Sequence, residues 1–124
     1  MGFLIVFLGG GLGASFRHGV NLLAAQLLGT SFPYATMIEN VTGSLIMGML
    51  IAYFAFVANA PQHLVLFLTT GVLGGYTTFS AFSLDTARLY ESGQIGLAAL
   101  YILASVGLSI GGLFAGLALV RQFS

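Results

Sequence analysis

The sequence predicts an all-α membrane protein of four transmembrane helices, folded as a single domain over residues 1–124. Three observations carry this prediction. First, 58% of the residues are hydrophobic and only 5% are charged, whereas soluble domains carry about 25% charged residues. Second, four apolar stretches are long enough to supply the roughly 20 residues that cross a bilayer. Third, short segments rich in turn residues join these stretches, which makes neighbouring helices antiparallel.

Length and composition also exclude several classes of protein. The stretches are too long for barrel strands and lack alternating polarity. The net charge is zero and no basic stripe exists, so nucleic-acid binding has no electrostatic basis. The absence of cysteine rules out disulfides and thiolate metal sites. The predicted helices cover about residues 3–28, 36–57, 64–88 and 96–120.

The first helix begins without the basic residues of a signal peptide, so we expect it to be retained. Gly9 and Gly13 form a GxxxG pair within it. Such pairs let helix backbones approach closely in lipid, where no hydrophobic drive brings helices together. The same helix carries Arg17 well inside its length.

The second helix carries polar side chains along one face. Thr36, Asn40 and Ser44 follow each other at a spacing of four residues, which puts them on the same side of a helix. An asparagine amide is costly to bury, so Asn40 needs partners or a polar lumen. Ser44 and Gly48 also form a small-xxx-small packing pair.

The third helix is predicted to be broken in mid-membrane, around Gly74–Thr78. Residues 71–83 combine three glycines with four serine and threonine hydroxyls, and glycine and threonine are poor helix formers. Irregular backbone at membrane depth persists only when it is buried in protein or lines a polar cavity. The alternative, a glycine-kinked helix whose hydroxyls bond to their own backbone, remains open.

Phe79 and Phe82 follow this predicted break. Their spacing of three places both rings on one side of a local helix, where an electropositive ring edge can face a small anion. Plain packing is the alternative interpretation, because aromatic residues mainly supply apolar area.

The fourth helix repeats the polar spacing of the second, with Tyr101, Ser105 and Ser109 on one face. One such stripe is typical of hydrogen bonding between helices. Two stripes together with a hydroxyl-rich break indicate a polar track lined by neutral donors. This helix also carries the GxxxG pairs Gly107–Gly111 and Gly112–Gly116.

The few charges do not select an orientation in the membrane. Arg121 and His63 are predicted on one side and Arg88 on the other, which gives the positive-inside rule almost nothing to act on. Insertion in both orientations follows, and it permits an antiparallel homodimer. A two-fold axis through the break would bring together the Gly74 and Thr77 carbonyls of both chains as a cation cage.

The chain resembles the Fluc (CrcB) family of fluoride channels over essentially its full length. Three pieces carry the resemblance: Gly9–Ala14 followed by Arg17, then Asn40 with Gly43–Ser44, and the run Gly71–Ser83. The last piece is the most specific, because a Gly-Gly-x-Thr-Thr-Phe-Ser-x-Phe-Ser run is hard to obtain by chance in a four-helix chain of this length.

The resemblance implies a dual-topology antiparallel homodimer in the inner (plasma) membrane, with two fluoride pathways for passive export and a structural sodium ion at its centre. It implies pore roles for the amide of Asn40 and the rings of Phe79 and Phe82. Further residues fall on the family's polar track, at Thr36, Ser80, Tyr101, Ser105 and Ser109. The implied sodium ligands are the backbone carbonyls of Gly74 and Thr77, and Arg17 matches an arginine with a vestibule or structural role.

Two positions depart from the family pattern. Asp85 stands where glutamate is common, which is a mild change. Glu39 is more serious, because this position is usually apolar and a carboxylate repels an anion. On a helix Glu39 points about 100° away from Asn40. We expect Glu39 to lie off the conduction path, and it could face another interface, pair with Arg17 or His18, or lose its charge through burial.

Other functions fit the sequence less well. A small four-helix, proton-coupled multidrug transporter is the main alternative, but it requires a carboxylate in the first helix, where this chain has Arg17. A non-transporting assembly subunit would use the glycines for packing alone. An enzyme is not predicted, because no arrangement of nucleophile, base and acid and no metal-ligand cluster is apparent.

Overall fold

The computed structural model describes residues 1–57 and 59–123, which form helices and short connections with no β-strand among them. Four helical stretches in this part of the chain are long and apolar enough to cross a membrane. Three are continuous and the third is composite. The elements are α1 (Gly2–Leu28), α2 (Tyr34–Phe56), α3 (Gln62–Leu66), a π-helical segment (Phe67–Leu73), α4 (Gly74–Tyr76), α5 (Phe79–Glu91) and α6 (Ile95–Gln122).

Two of the helical spans extend at both ends beyond the apolar stretches predicted from the sequence. The third span, Gln62–Glu91, and α6, Ile95–Gln122, each begin before and end after their predicted limits. A helix does not stop at the edge of the hydrocarbon, because its backbone hydrogen bonds are equally favourable in the interface. The π-helical segment was not predicted. Such segments are rare and leave no periodicity that a sequence reveals.

Glycines end two of the helices. Gly29 follows α1 with φ +79°, and Gly93 follows α5 with φ +85°. L-residues with a side chain rarely adopt this left-handed region, whereas glycine does so readily. The Gly29 N–H donates to the carbonyl of Ala25 at 3.2 Å, which satisfies one of the last carbonyls of α1. These glycines therefore give the short turns that make neighbouring spans antiparallel.

The spans pack as two closely fitted pairs. In the first, α1 packs on the first part of the third span, where a Cβ added to Gly13 would collide with the Val72 carbonyl. In the second, α2 packs on α6, and a Cβ added to Gly48 would meet the Leu113 carbonyl. Backbone thus packs directly against backbone at both crossings, as small residues allow in membrane proteins.

The predicted glycine pairs do not all serve this purpose. Gly116 lies against the Leu45 carbonyl, and Gly112 lies near Val41. Gly107 and Gly111, by contrast, have nothing within 4 Å of the place where a Cβ would stand. These two glycines therefore lie on a different face of α6 from the one that contacts α2. A spacing of four residues shows that two glycines share a face, but it does not show which helix that face contacts.

One cluster of buried apolar side chains lies near one membrane end. Tyr101 is fully buried, and Phe82, Leu89 and Ala98 pack with it. Large apolar side chains such as Phe3 cover much of the remaining exposed surface. In lipid this arrangement is stable, because hydrocarbon solvates these side chains as well as a protein core does.

Candidate functional site

The third span is interrupted by two extended residues between α4 and α5. Thr77 has φ −83° and ψ 155°, and Thr78 has φ −152° and ψ 120°. The Thr78 hydroxyl caps α5 by accepting the Ala81 N–H at 3.1 Å. The Thr77 hydroxyl donates to the Leu73 carbonyl at 3.0 Å. The Thr78 hydroxyl therefore satisfies one of the backbone N–H groups that the interruption frees.

The side chain of Asn40 binds both backbone groups of Thr78. Its Nδ2 donates to the Thr78 carbonyl at 3.0 Å, and its Oδ1 accepts the Thr78 N–H at 2.8 Å. One amide thus pairs with another in the way that neighbouring strands do. Asn40 therefore holds the extended residue Thr78 against α2. The second N–H of its Nδ2 is left for another acceptor.

Arg17 stabilises the opposite side of the interruption. Its Nε donates to the Gly75 carbonyl at 3.1 Å. In an uninterrupted helix this carbonyl would accept a backbone N–H one turn further on, but the extended residues remove that donor. A cation is also favourable at the C-terminal end of a helix. The position of Arg17 well inside α1 therefore has a structural explanation.

A groove beside the interruption collects most of the predicted polar side chains. It has a volume of about 330 Å³ and opens at the surface of the chain. It is lined by Asn40 and Ser44 from α2, by Thr77, Thr78, Phe79 and Phe82 from the third span, and by Ser105, Val106, Ser109 and Ile110 from α6. Part of each polar stripe and the interruption therefore face one space.

Two hydroxyl groups in this groove have no hydrogen-bond partner among residues 1–57 and 59–123. They are the buried Oγ atoms of Ser105 and Ser109. A buried hydroxyl without a partner costs free energy, about 1–3 kcal/mol by mutational data. With the remaining N–H of Asn40, these hydroxyls give the groove three neutral donor groups.

Aromatic rings line one side of the groove. The centroids of Phe79 and Phe82 are 5.5 Å apart with their planes at 55°, and Phe82 is 5.2 Å from Tyr101. Phe82 is buried, whereas Phe79 is 75% exposed. In a single chain, therefore, one ring is fixed by packing while the other faces the surrounding medium.

The remaining predicted residues lie outside the groove lining. Tyr101 donates its hydroxyl to Asp85 Oδ2 at 3.1 Å. Thr36 lines a second cavity at the membrane end of the chain. Ser80 is exposed, and its hydroxyl pairs with that of Thr78 at 3.3 Å. Gly74 begins α4, three residues before the interruption at Thr77, and is exposed.

Glu39 is almost fully buried and does not line the groove. Only 1% of it is exposed, and its Oε2 has no hydrogen-bond partner among the described residues. Arg17 and Asp85 are the charged side chains that act on it electrostatically. Glu39 therefore lies on a neighbouring face of α2, as its angular offset from Asn40 predicts.

Sequence reasoning missed some of the groove. Ser44 lines it, and its place on the stripe with Thr36 and Asn40 was a sufficient signal. The binding of Asn40 to Thr78 had no such signal, because the two residues are 38 positions apart. The apolar lining by Val106 and Ile110 also had none, since apolar residues fill most positions of α6 around its polar stripe.

Comparison with known proteins gives a consistent result. Residues 4–117 match the family described as CrcB-like protein, Camphor Resistance (CrcB). A protein called fluoride-specific ion channel FluC from Rhodopseudomonas palustris (strain BisB5) is 64% identical over 124 residues, the whole of both chains. FluC 2 of Nitrobacter hamburgensis is 60% identical over the same complete length. FluC of Methylobacterium nodulans is 57% identical over 97% of this chain and 96% of its own.

Proposed function

The chain belongs to the CrcB family, and we propose that it is a fluoride-selective ion channel of the inner (plasma) membrane. Hydrogen fluoride is a weak acid that crosses membranes as a neutral molecule and ionises inside the cell. An anion-selective path lets the trapped fluoride leave down its gradient. Such passive export needs no catalytic group and no coupled ion.

The observation that carries this proposal is the set of unsatisfied donors in the groove. The hydroxyls of Ser105 and Ser109 have no partner among the described residues, and Asn40 retains one N–H. A small anion that has lost its water needs several short hydrogen bonds. Neutral donors supply them without the strong attraction of a fixed cation, which would hold the ion and stop its passage.

The phenylalanine rings add a weaker, complementary interaction. Phe82 lines the groove, and the edge of a phenyl ring is electropositive. A ring edge attracts fluoride weakly, and it is a poor hydrogen-bond acceptor for a water molecule. We assign Phe82 to the path in each chain, and Phe79 to the side that a second chain would meet.

We further propose that two antiparallel copies form the channel and that each interrupted third span lies within the membrane. The groove is open on one side and Phe79 is 75% exposed. A second copy would close the groove and cover this ring. Two-fold symmetry would then give two equivalent fluoride paths per dimer.

A sodium ion at the dimer centre is part of this proposal. Gly74 begins α4 and Thr77 is the first extended residue after it, so both carbonyls lie close to the interruption. Hard cations are bound by oxygen ligands, and rings of backbone carbonyls coordinate ions in channels. These four carbonyls from two chains would hold the ion, which would supply the positive charge that keeps the two interruptions together.

Ion efflux from liposomes tests the proposed function. Vesicles containing the purified protein are loaded with potassium fluoride or potassium chloride, and valinomycin carries the compensating potassium. We expect rapid fluoride release, while chloride release stays near that of protein-free vesicles. Equal rates would contradict selectivity, and no fluoride release would contradict the function. Conduction by a purified monomer would contradict the two-chain arrangement.

Glu39→Gln is expected to leave fluoride efflux within about twofold of wild type, a change of about 0.4 kcal/mol in the barrier. The carboxyl group lies outside the groove lining, and glutamine has nearly the same shape. The electrode assay measures the initial rate at equal protein density. An increase of several-fold would mean that the charge of Glu39 opposes the anion, so Glu39 would belong to the path.

A further inference from the structure

A second cavity, of about 610 Å³, lies at one membrane end of the chain. The end of α1, the start of α2 and the end of α5 surround it together with the two connecting loops. Its polar lining includes Asn21, Thr36, Asp85, Arg88 and Gln94. All of these belong to the terminal parts of spans or to loops. The cavity is therefore a mouth that opens to water.

This mouth lies in line with the groove. Thr36 faces the mouth, and Asn40, one turn further along α2, faces the groove. Tyr101 stands between the two spaces, because its hydroxyl binds Asp85 in the mouth and its ring contacts Phe82 in the groove. An anion that passes Tyr101 on its way from the groove therefore enters this mouth.

Two charged side chains line the mouth at different depths. Asp85 is the deeper one, and its Oδ2 is occupied by the Tyr101 hydroxyl. Arg88 lies one turn, about 4.5 Å, nearer the end of α5. Its guanidinium makes no hydrogen bond or ion pair within the described part of the chain, although its carbonyl accepts the Ser92 N–H at 3.0 Å. Arg17 is committed to the Gly75 carbonyl, so it is Arg88 that meets an anion arriving from water.

We propose that Arg88 recruits fluoride at this mouth, raising its local concentration and offsetting the repulsion of Asp85. The inference rests on the proposed channel function. A cation at the rim of a cleft with low-dielectric walls concentrates anions without binding them tightly. Arg88 is exposed, so its attraction is strong at low salt and screened at high salt. Ionic strength therefore separates this role from a structural one.

The experiment uses cysteine chemistry, because the chain contains no cysteine of its own. Purified Arg88→Cys is divided and labelled with a trimethylammonioethyl or a sulfonatoethyl methanethiosulfonate. The two samples share one fold and differ only in the charge at position 88. Fluoride efflux is measured in about 10 mM salt, where the Debye length is about 30 Å, and in about 1 M potassium gluconate, where it is about 3 Å.

We expect the anionic label to slow efflux about threefold or more relative to the cationic label in low salt, and the two rates to converge in high salt. Arg88→Lys should match wild type under both conditions. Arg121→Gln removes one positive charge from the far end of α6 and should show no salt-dependent loss. Equal rates for the two labels in low salt, or a difference that persists in high salt, would overturn the role of Arg88. Absence of fluoride efflux from the wild-type protein would instead reject the channel function itself.

Discussion

Replacing Asn40 by aspartate is expected to reduce fluoride efflux by about 100-fold or more. The carboxylate keeps an acceptor for the Thr78 N–H but has no donor for the Thr78 carbonyl, which accepts the wild-type amide at 3.0 Å. Leaving that carbonyl unsatisfied costs about 1–3 kcal/mol. A negative charge about 4 Å from the anion adds roughly 4 kcal/mol at an effective dielectric constant of 20. Both effects slow the passage of fluoride through the groove, because Asn40 lines the groove and also binds the extended residue Thr78.

The liposome assay with a fluoride electrode measures this effect, and size-exclusion chromatography reports whether the variant is still assembled. Ser44→Ala is the matched control, since Ser44 lines the same groove and its loss removes one hydroxyl without adding charge. We expect a loss of about threefold there, consistent with one neutral hydrogen bond of roughly 0.5–1.5 kcal/mol. Fluoride efflux at the wild-type rate in Asn40→Asp would contradict the assignment of Asn40 to the fluoride path.

Gly48→Ala is expected to destabilise the fold by about 3 kcal/mol or more, at the upper end of overpacking costs. The added methyl group would collide with the Leu113 carbonyl and stand 3.1 Å from the Leu117 nitrogen. Both are backbone atoms of α6, so no side chain can move aside to accept it. The helices must separate, and every contact along the α2–α6 crossing weakens. We expect a large loss of monodisperse protein in detergent and a lower unfolding temperature.

Gly11→Ala provides the comparison for this effect. Gly11 also lies inside a spanning helix, but nothing lies within 4 Å of the place where its Cβ would stand. Alanine favours a helix over glycine by about 1 kcal/mol, so this variant should be as stable as wild type or slightly more stable. Equal damage from both substitutions would mean that loss of glycine flexibility, and not the close crossing at Gly48, controls stability.

The sequence by itself determined the class of the protein, the number of spans and the two polar stripes. Lipid imposes strong local rules, because each span must be apolar over about 20 residues and must satisfy its own backbone within a helix. The helical period then places Thr36, Asn40 and Ser44 on one face without reference to any other part of the chain. Conclusions that depend only on neighbouring residues are therefore accessible from composition and spacing.

Only the tertiary structure decided which groups meet. Arg17 reaches the Gly75 carbonyl from 58 positions away, and Asn40 binds a peptide group 38 positions distant. Gly48 lies at a helix crossing while Gly107 lies at none, although both belong to similar small-residue pairs. The physical reason is that helix crossings are set by how whole surfaces fit together, and in lipid this fit depends on van der Waals packing. Packing depends on residues that are far apart in the chain, so the spacing of neighbouring residues cannot predict which helices will cross.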